Sequence, residues 1–144
     1  MAKVLAVNIS KNKGEIKTSI EKGHFTVNSG LQGDAHAGNW HRQISLLGNE
    51  SIDKIRNRGF NALVPGSFAE NLTTEGIVLY ELPIGTKLRI GETVLEVTQI
   101  GKECHMGCAI RQQTGDCVMP REGIFAKVLV SGWITAGDII EILR

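Results

Sequence analysis

Thr86-Lys-Leu-Arg-Ile90, Gly91-Glu92 and Thr93-Val-Leu-Glu-Val-Thr-Gln-Ile100 form the stretch whose reading decides the fold. Leu88 and Ile90 alternate with Lys87 and Arg89, and Leu95 and Val97 share one face of the following segment, the period-two pattern of half-buried strands. The two-residue connection begins with glycine, which accepts the positive φ that a type II′ hairpin demands at its first position. An antiparallel hairpin is the direct reading.

Working outward, seventeen glycines punctuate segments of Val, Ile, Leu and Thr along the chain. Further strands are expected at residues 3–9, 24–28, 43–47, 76–79 and 138–143. One helix is signalled over residues 50–58, with Asn49 as its cap, Ile52 and Ile55 on one side and Gly59 at its end. The apolar run 124–130 fits a buried strand or a short helix. Many short antiparallel strands with one or two short helices predict a mostly β fold, a closed or nearly closed β-barrel, because closure removes exposed strand edges. No repeat, linker or low-complexity tract divides the chain, so residues 1–144 are expected to form a single domain.

The 144 residues suffice to bury about 70% of the unfolded surface without staples. Sixteen basic and fifteen acidic side chains leave a net charge of +1, which argues against a broad nucleic-acid-binding surface. No apolar stretch approaches a membrane span, and the short run at residues 4–7 is no signal-peptide core. A cytoplasmic location is expected, with no membrane or nucleic acid among the partners.

Chemistry concentrates in a few places. Gly33-Asp-Ala-His-Ala-Gly38 puts Asp34 and His36 two apart on a glycine-bounded loop, where they would share a ligand or, equally, serve local turns. Val64-Pro-Gly-Ser-Phe-Ala-Glu-Asn71 sets the acid of Glu70 beside the amide of Asn71, which donates and accepts together and so suits a heterocycle edge. Its alternative is a turn whose polar groups satisfy nearby backbone. Lys11, Lys13, Lys17, Arg42 and Arg121 are scattered cations; gathered in space they would make a phosphate or carboxylate pocket, and left apart they would be solvated surface charge.

All three cysteines, Cys104, Cys108 and Cys117, fall in one window. Lys102 and His105 flank Cys104, and nearby cations favour a thiolate, which can ligate a soft metal or carry a sulfane sulfur. An odd cysteine count in a reducing compartment disfavours a disulfide framework. A small structural zinc site is the competing reading, but His105 is adjacent to Cys104 and no second closely spaced pair follows.

In order along the chain, these segments resemble the MOSC domain, named for the C-terminal domain of molybdenum cofactor sulfurase. The matching pieces are Gly33-Asp-Ala-His-Ala-Gly38 with Arg42, Pro65-Gly-Ser-Phe-Ala-Glu-Asn-Leu72, Gly85-Thr86 with Ile90-Gly91, Cys104, Gly123-Ile-Phe-Ala-Lys-Val128, Gly132 and Gly137-Asp138. Gly101-Lys-Glu-Cys-His105 and Cys117-Val-Met-Pro-Arg-Glu-Gly123 are similar to the short stand-alone, mainly bacterial members. The resemblance implies a β-barrel that binds molybdenum cofactor, a phosphate-bearing pterin dithiolene, with a molybdoenzyme or cofactor-biosynthesis protein as partner.

It further implies that Cys104 receives sulfur or contacts the metal, tuned by His105, with Cys108 or Cys117 as resolving thiol. Asp34, His36, Glu70 and Asn71 would bind the cofactor, and Arg42, Lys13, Lys17 and Arg121 its phosphate. The full sulfurase extracts sulfur from cysteine with a pyridoxal-phosphate domain, for which this sequence has no room. The resemblance therefore implies a carrier or delivery role rather than a self-sufficient sulfurtransferase. A cofactor- or partner-docking module without sulfur chemistry is the alternative.

Overall fold

The computed structural model describes residues 1–102 and 119–143. The predicted hairpin forms as β7 (Lys87–Ile90) and β8 (Thr93–Ile100), with Leu88 opposite Leu95 and Ile90 opposite Thr93. Gly91 has φ 56° and Glu92 is not among the positive-φ residues, as a type II′ turn requires. β1 (Lys3–Ile9) has the expected bounds, β3 (Lys22–Thr26) and β5 (Ile44–Gly48) lie within two residues of theirs, and β11 (Ile140–Leu143) ends the described chain. Short strands β2 (Thr18–Ile20) and β4 (Gly30–Leu31) fall between them.

Residues 124–130 resolve to strand β9 (Ile124–Val130), held between β8 and β5. Alternation explains its continuous hydrophobicity. Ile124 and Ala126 enter the main core with Ile44, Leu46, Leu95 and Val97, while Phe125 points to a second core with Leu47, Ile52, Ile55, Leu63, Phe68 and Met119. Both faces of β5 and β9 are covered, so neither shows an apolar-polar rhythm.

Two expectations about the sheets are corrected. The segment 76–79 is not a strand: Gly76 takes φ 82° and turns the chain, and a 3-10 turn, Leu79–Glu81, follows. The strand is instead β6 (Leu72–Glu75), paired parallel to β5 and antiparallel to β1. The closed barrel is also not formed. Eight strands make one open sheet in the order β11-β7-β8-β9-β5-β6-β1-β2, and β10 (Gly132–Thr135), β3 and β4 make a second. β2 is only three residues long and pairs with the C-terminal half of β1, so no ladder joins the two edges. The approach to closure is an isolated Lys3–Ile139 bridge, flanked by Val4 N–H to Asp138 O at 2.8 Å and Ile140 N–H to Ala2 O at 2.9 Å.

Helix α1 (Asn49–Arg56) starts one residue earlier than expected, and Gly48 stands at its N-cap. Asn49 makes no cap bond; its Oδ1 accepts from Arg56 Nη1 at 2.7 Å, about two turns along the same face. Ile52 and Ile55 are buried as their spacing predicts. A one-turn helix, α2 (Met119–Glu122), precedes β9. No helix among the described residues is long and apolar enough to cross a membrane.

The loop between α1 and β6 is pressed against the segment entering β2. Lys17 N–H donates to Gly66 O at 3.0 Å, and a Cβ on Gly66, at φ 90°, would stand 2.2 Å from Lys17 O. Gly66→Ala therefore meets both a left-handed backbone and a backbone clash, and is expected to cost more than about 2 kcal/mol, read as a lowered urea midpoint with unchanged m-value.

Candidate functional site

Three segments distant in sequence converge at the C-terminal end of β1. Lys17 and Asp34 side chains are both fully buried and paired at 2.7 Å. Lys17 Nζ also contacts Ser10 Oγ at 3.0 Å and His36 Nδ1 at 3.1 Å. Asp34 Oδ1 accepts from Ser10 N–H and Oδ2 from His36 N–H, each at 3.1 Å. Ala35 N–H to Ser10 O, at 2.9 Å, docks the loop on the strand end.

The electrostatics follow from this geometry. Burial pushes the Asp34 carboxyl up, but the proximity of His36 and hydrogen bonds from Lys17 and the Ser10 N–H outweigh it and hold the group well below the usual carboxylate range. Glu70 behaves oppositely. It is fully buried, and burial pushes its carboxyl up despite hydrogen bonds from Thr73, Gly66 and Phe68.

Glu70 and Asn71, expected at a heterocycle edge, turn inward. Glu70 Oε2 accepts from Gly66 N–H at 3.1 Å and Thr73 Oγ1 at 2.6 Å, and Oε1 from Phe68 N–H at 3.2 Å. These bonds hold a loop in which Ala69 sits at φ 63°, a left-handed conformation costly for a residue with a Cβ. Asn71 Oδ1 accepts from Ser45 N–H at 3.0 Å, and its Nδ2 donates to Asn8 O at 3.3 Å. Both side chains shape the loop that supports Lys17.

From the buried cluster, contacts run along one side of the sheet. Trp40 Nε1 donates to His36 O at 2.9 Å, and Lys13 Nζ lies 5.4 Å from the Trp40 ring centroid. Trp40 meets the His41 ring edge-on, with centroids 5.9 Å apart. Gln99 Oε1 accepts from His41 Nε2 at 2.9 Å and Arg42 Nε at 3.1 Å, while Gln99 Nε2 donates to Gly101 O at 2.7 Å. Arg42 also lies over the Phe125 ring, 5.1 Å from its centroid.

Gly101 N–H to Gly123 O at 2.7 Å and Lys102 N–H to Pro120 O at 3.2 Å clasp the two described flanks of the cysteine window. Cys104, His105, Cys108 and Cys117 lie outside the described residues. Arg121 is exposed on α2. Of the residues singled out from the sequence, the structure brings Asp34, His36 and Lys17 into contact; Ser10, Trp40 and Gln99, which bond to them or to Arg42, were not among the candidates. Trp40 was within reach of that reading, as an aromatic between His36 and Arg42; Gln99, near the end of β8, carried no local signal. Among the described residues no group of three or more His, Cys, Asp or Glu side chains is placed to hold a metal ion.

Residues 33–141 match the MOSC domain family. The chain belongs to that family. Its fold is similar to that of the YuaD protein from Bacillus subtilis, with a TM-score of 0.82 at 21% identity over 98% of this chain and 94% of that one. It is also similar to YiiM from Geobacillus stearothermophilus, TM-score 0.77 at 18% identity over 100% of this chain and 76% of that one. For YiiM from Escherichia coli the TM-score is 0.68 at 20% identity, over 99% and 70% of the respective chains. No curated protein matches the chain in sequence.

The Asp34 shift makes a testable statement about stability. Its folded value lies below the ordinary 3.8, so the unfolded chain takes up the proton first as pH falls. The contribution is present above about pH 4 and is lost progressively below it. Asp34→Asn is expected to lower stability at pH 7 and to flatten the acid limb, measured as urea midpoints from about pH 3 to about pH 7.

Proposed function

We propose that this domain binds molybdenum cofactor and carries or delivers sulfur, or the sulfurated cofactor, through Cys104. The observation that carries the reading is the run of contacts from His36 through Trp40 and His41 to Gln99 and Arg42, ending at the clasped base of the cysteine window. Membership of the MOSC family supports the choice of cofactor.

The residues along that run fit a phosphate-bearing heterocycle. Arg42 and Lys13 supply cations for an anionic group, Trp40 offers an aromatic face 39% exposed, and His36 a polar ring edge. Lys17, Asp34, Glu70 and Asn71 serve from within: their bonds fix the loops that present these groups, and none is spent on the ligand. Bound there, the cofactor would supply dithiolene-held molybdenum chemistry. Cys104 follows Lys102 by two residues, and its thiolate, tuned by His105, would be the soft ligand or would take the outer sulfur of a persulfide donor, releasing the donor's thiolate; attack of the Cys108 or Cys117 thiolate on the inner sulfur of the Cys104 persulfide would then form the disulfide and release hydrosulfide. Arg121, on α2 beside the window, would add positive charge near its exit.

Protein isolated anaerobically from a host that makes the cofactor is expected to carry molybdenum and pterin fluorescence, with a persulfide mass on Cys104. Zinc in one-to-one ratio with neither molybdenum nor pterin would overturn the reading in favour of a structural zinc domain. Cofactor retention by Cys104→Ser equal to the parent's, with no sulfur adduct on either, would leave a docking module. Arg42→Gln is expected to weaken cofactor binding about tenfold, the scale of one lost charge-assisted hydrogen bond.

A further inference from the structure

We propose that Lys17 is a positioning residue that fixes the tautomer of His36, holding Nδ1 as a hydrogen-bond acceptor and the proton on Nε2. His36 then meets a bound group as a neutral donor.

A lysine ammonium carries three N–H donors and no acceptor. Lys17 Nζ has Asp34 Oδ1 at 2.7 Å, Ser10 Oγ at 3.0 Å and His36 Nδ1 at 3.1 Å, so each donor has one partner. The third contact is attractive only if Nδ1 offers its lone pair; a proton on Nδ1 would face an ammonium hydrogen. The competing arrangement, Nδ1–H donating to Asp34 Oδ2, has a separation of 3.8 Å, too long for a hydrogen bond. That oxygen already accepts the His36 backbone N–H at 3.1 Å, which keeps the residue close without using its ring.

The lysine is itself immobile. Its side chain is completely buried, its N–H is bonded to Gly66 O at 3.0 Å, and Asp34 holds its charge. A freely rotating surface lysine would pay side-chain entropy for each such bond, but this one arrives with its geometry set. His36, by contrast, has a side chain 29% exposed, so the ring bridges the buried pair and the surface.

The chemical consequence is a choice of ligand atom. With Nδ1 occupied, Nε2 has a proton and no lone pair, so it neither ligates a metal nor abstracts a proton; it donates to an acceptor such as a phosphate or carbonyl oxygen. That the acceptor belongs to molybdenum cofactor rests on the function proposed above. The tautomer does not.

The test is long-range proton–nitrogen correlation NMR on protein with 15N-labelled histidine, with the His36 ring assigned by its loss in His36→Gln. The expected wild-type pattern is an unprotonated Nδ1 and a protonated Nε2. Lys17→Met should move the ring toward a tautomer mixture, and Lys17→Arg, which keeps a cationic donor, should recover part of the pattern. A protonated Nδ1 in the wild type would overturn the proposal, as would unchanged ring shifts in a folded Lys17→Met protein. Should Lys17→Met fail to fold, Lys17→Gln takes its place under the same criterion, because the wild-type spectrum judges the tautomer and only a variant judges what Lys17 does to it.

The ligand arm compares two variants by cofactor titration. His36→Gln, whose amide can donate from near the Nε2 position, should bind about tenfold more tightly than His36→Asn. Equal affinities would remove the donor role. Absence of cofactor binding in the wild type would overturn the proposed function, while the ring spectrum still judges the tautomer.

Discussion

Everything around the site depends on a buried ion pair. Lys17 and Asp34 sit without solvent at 2.7 Å, and a pair so placed gives up hydration that attraction alone need not return. The fold offsets this with hydrogen bonds: Ser10 and His36 donate to Asp34, and Ser10 and His36 accept from Lys17. Because those partners come from the end of β1, the entry to β2 and the loop after β4, meeting the charges and assembling the three segments are one event. Such a pair is a weak source of net stability but a strong constraint on arrangement, since removing one partner strands the other charge.

A second buried carboxylate supports the first from behind. Glu70 gathers Gly66 N–H, Phe68 N–H and the Thr73 hydroxyl, and so holds the loop whose Gly66 carbonyl receives the Lys17 amide. Only glycine permits the close approach of that loop to the Lys17 backbone. The Pro65-Gly-Ser-Phe-Ala-Glu-Asn71 segment thus acts at one remove, through the backbone of the residue that orients His36. Gln99 plays the corresponding part at the other end of the run, joining His41 and Arg42 to the backbone at Gly101.

Much of the architecture was legible in local patterns. The Leu88, Ile90, Leu95 and Val97 alternation and Gly91 specify the hairpin because period and turn are both local properties. Ile52 and Ile55 marked the buried face of α1 for the same reason. The failures share a cause. Leu72–Glu75 reads as polar, yet Thr73 and Thr74 are fully buried between β1 and β5, where β-branched side chains pack well whatever their polarity. The apolar 76–79 looked more like a strand, but Gly76 turns the chain there. Barrel closure was inferred from strand number, whereas the length and register of β2 decide it.

For the candidate site, residue types and order singled out Asp34, His36, Arg42 and the Glu70–Asn71 pair as candidates and carried the resemblance to the family to which the chain belongs. Their division of labour was not readable. Lys17 looks like one more cation beside Lys11 and Lys13, and Asn71 like an amide ready for a ligand; burial turns both inward. The sequence by itself determined which chemistries were present and which short elements would form, since those depend on neighbours along the chain. Only the tertiary structure decided which charges face each other and which face solvent, because a lysine's partners are set by the convergence of segments 7 to 19 residues apart, and no local pattern encodes that.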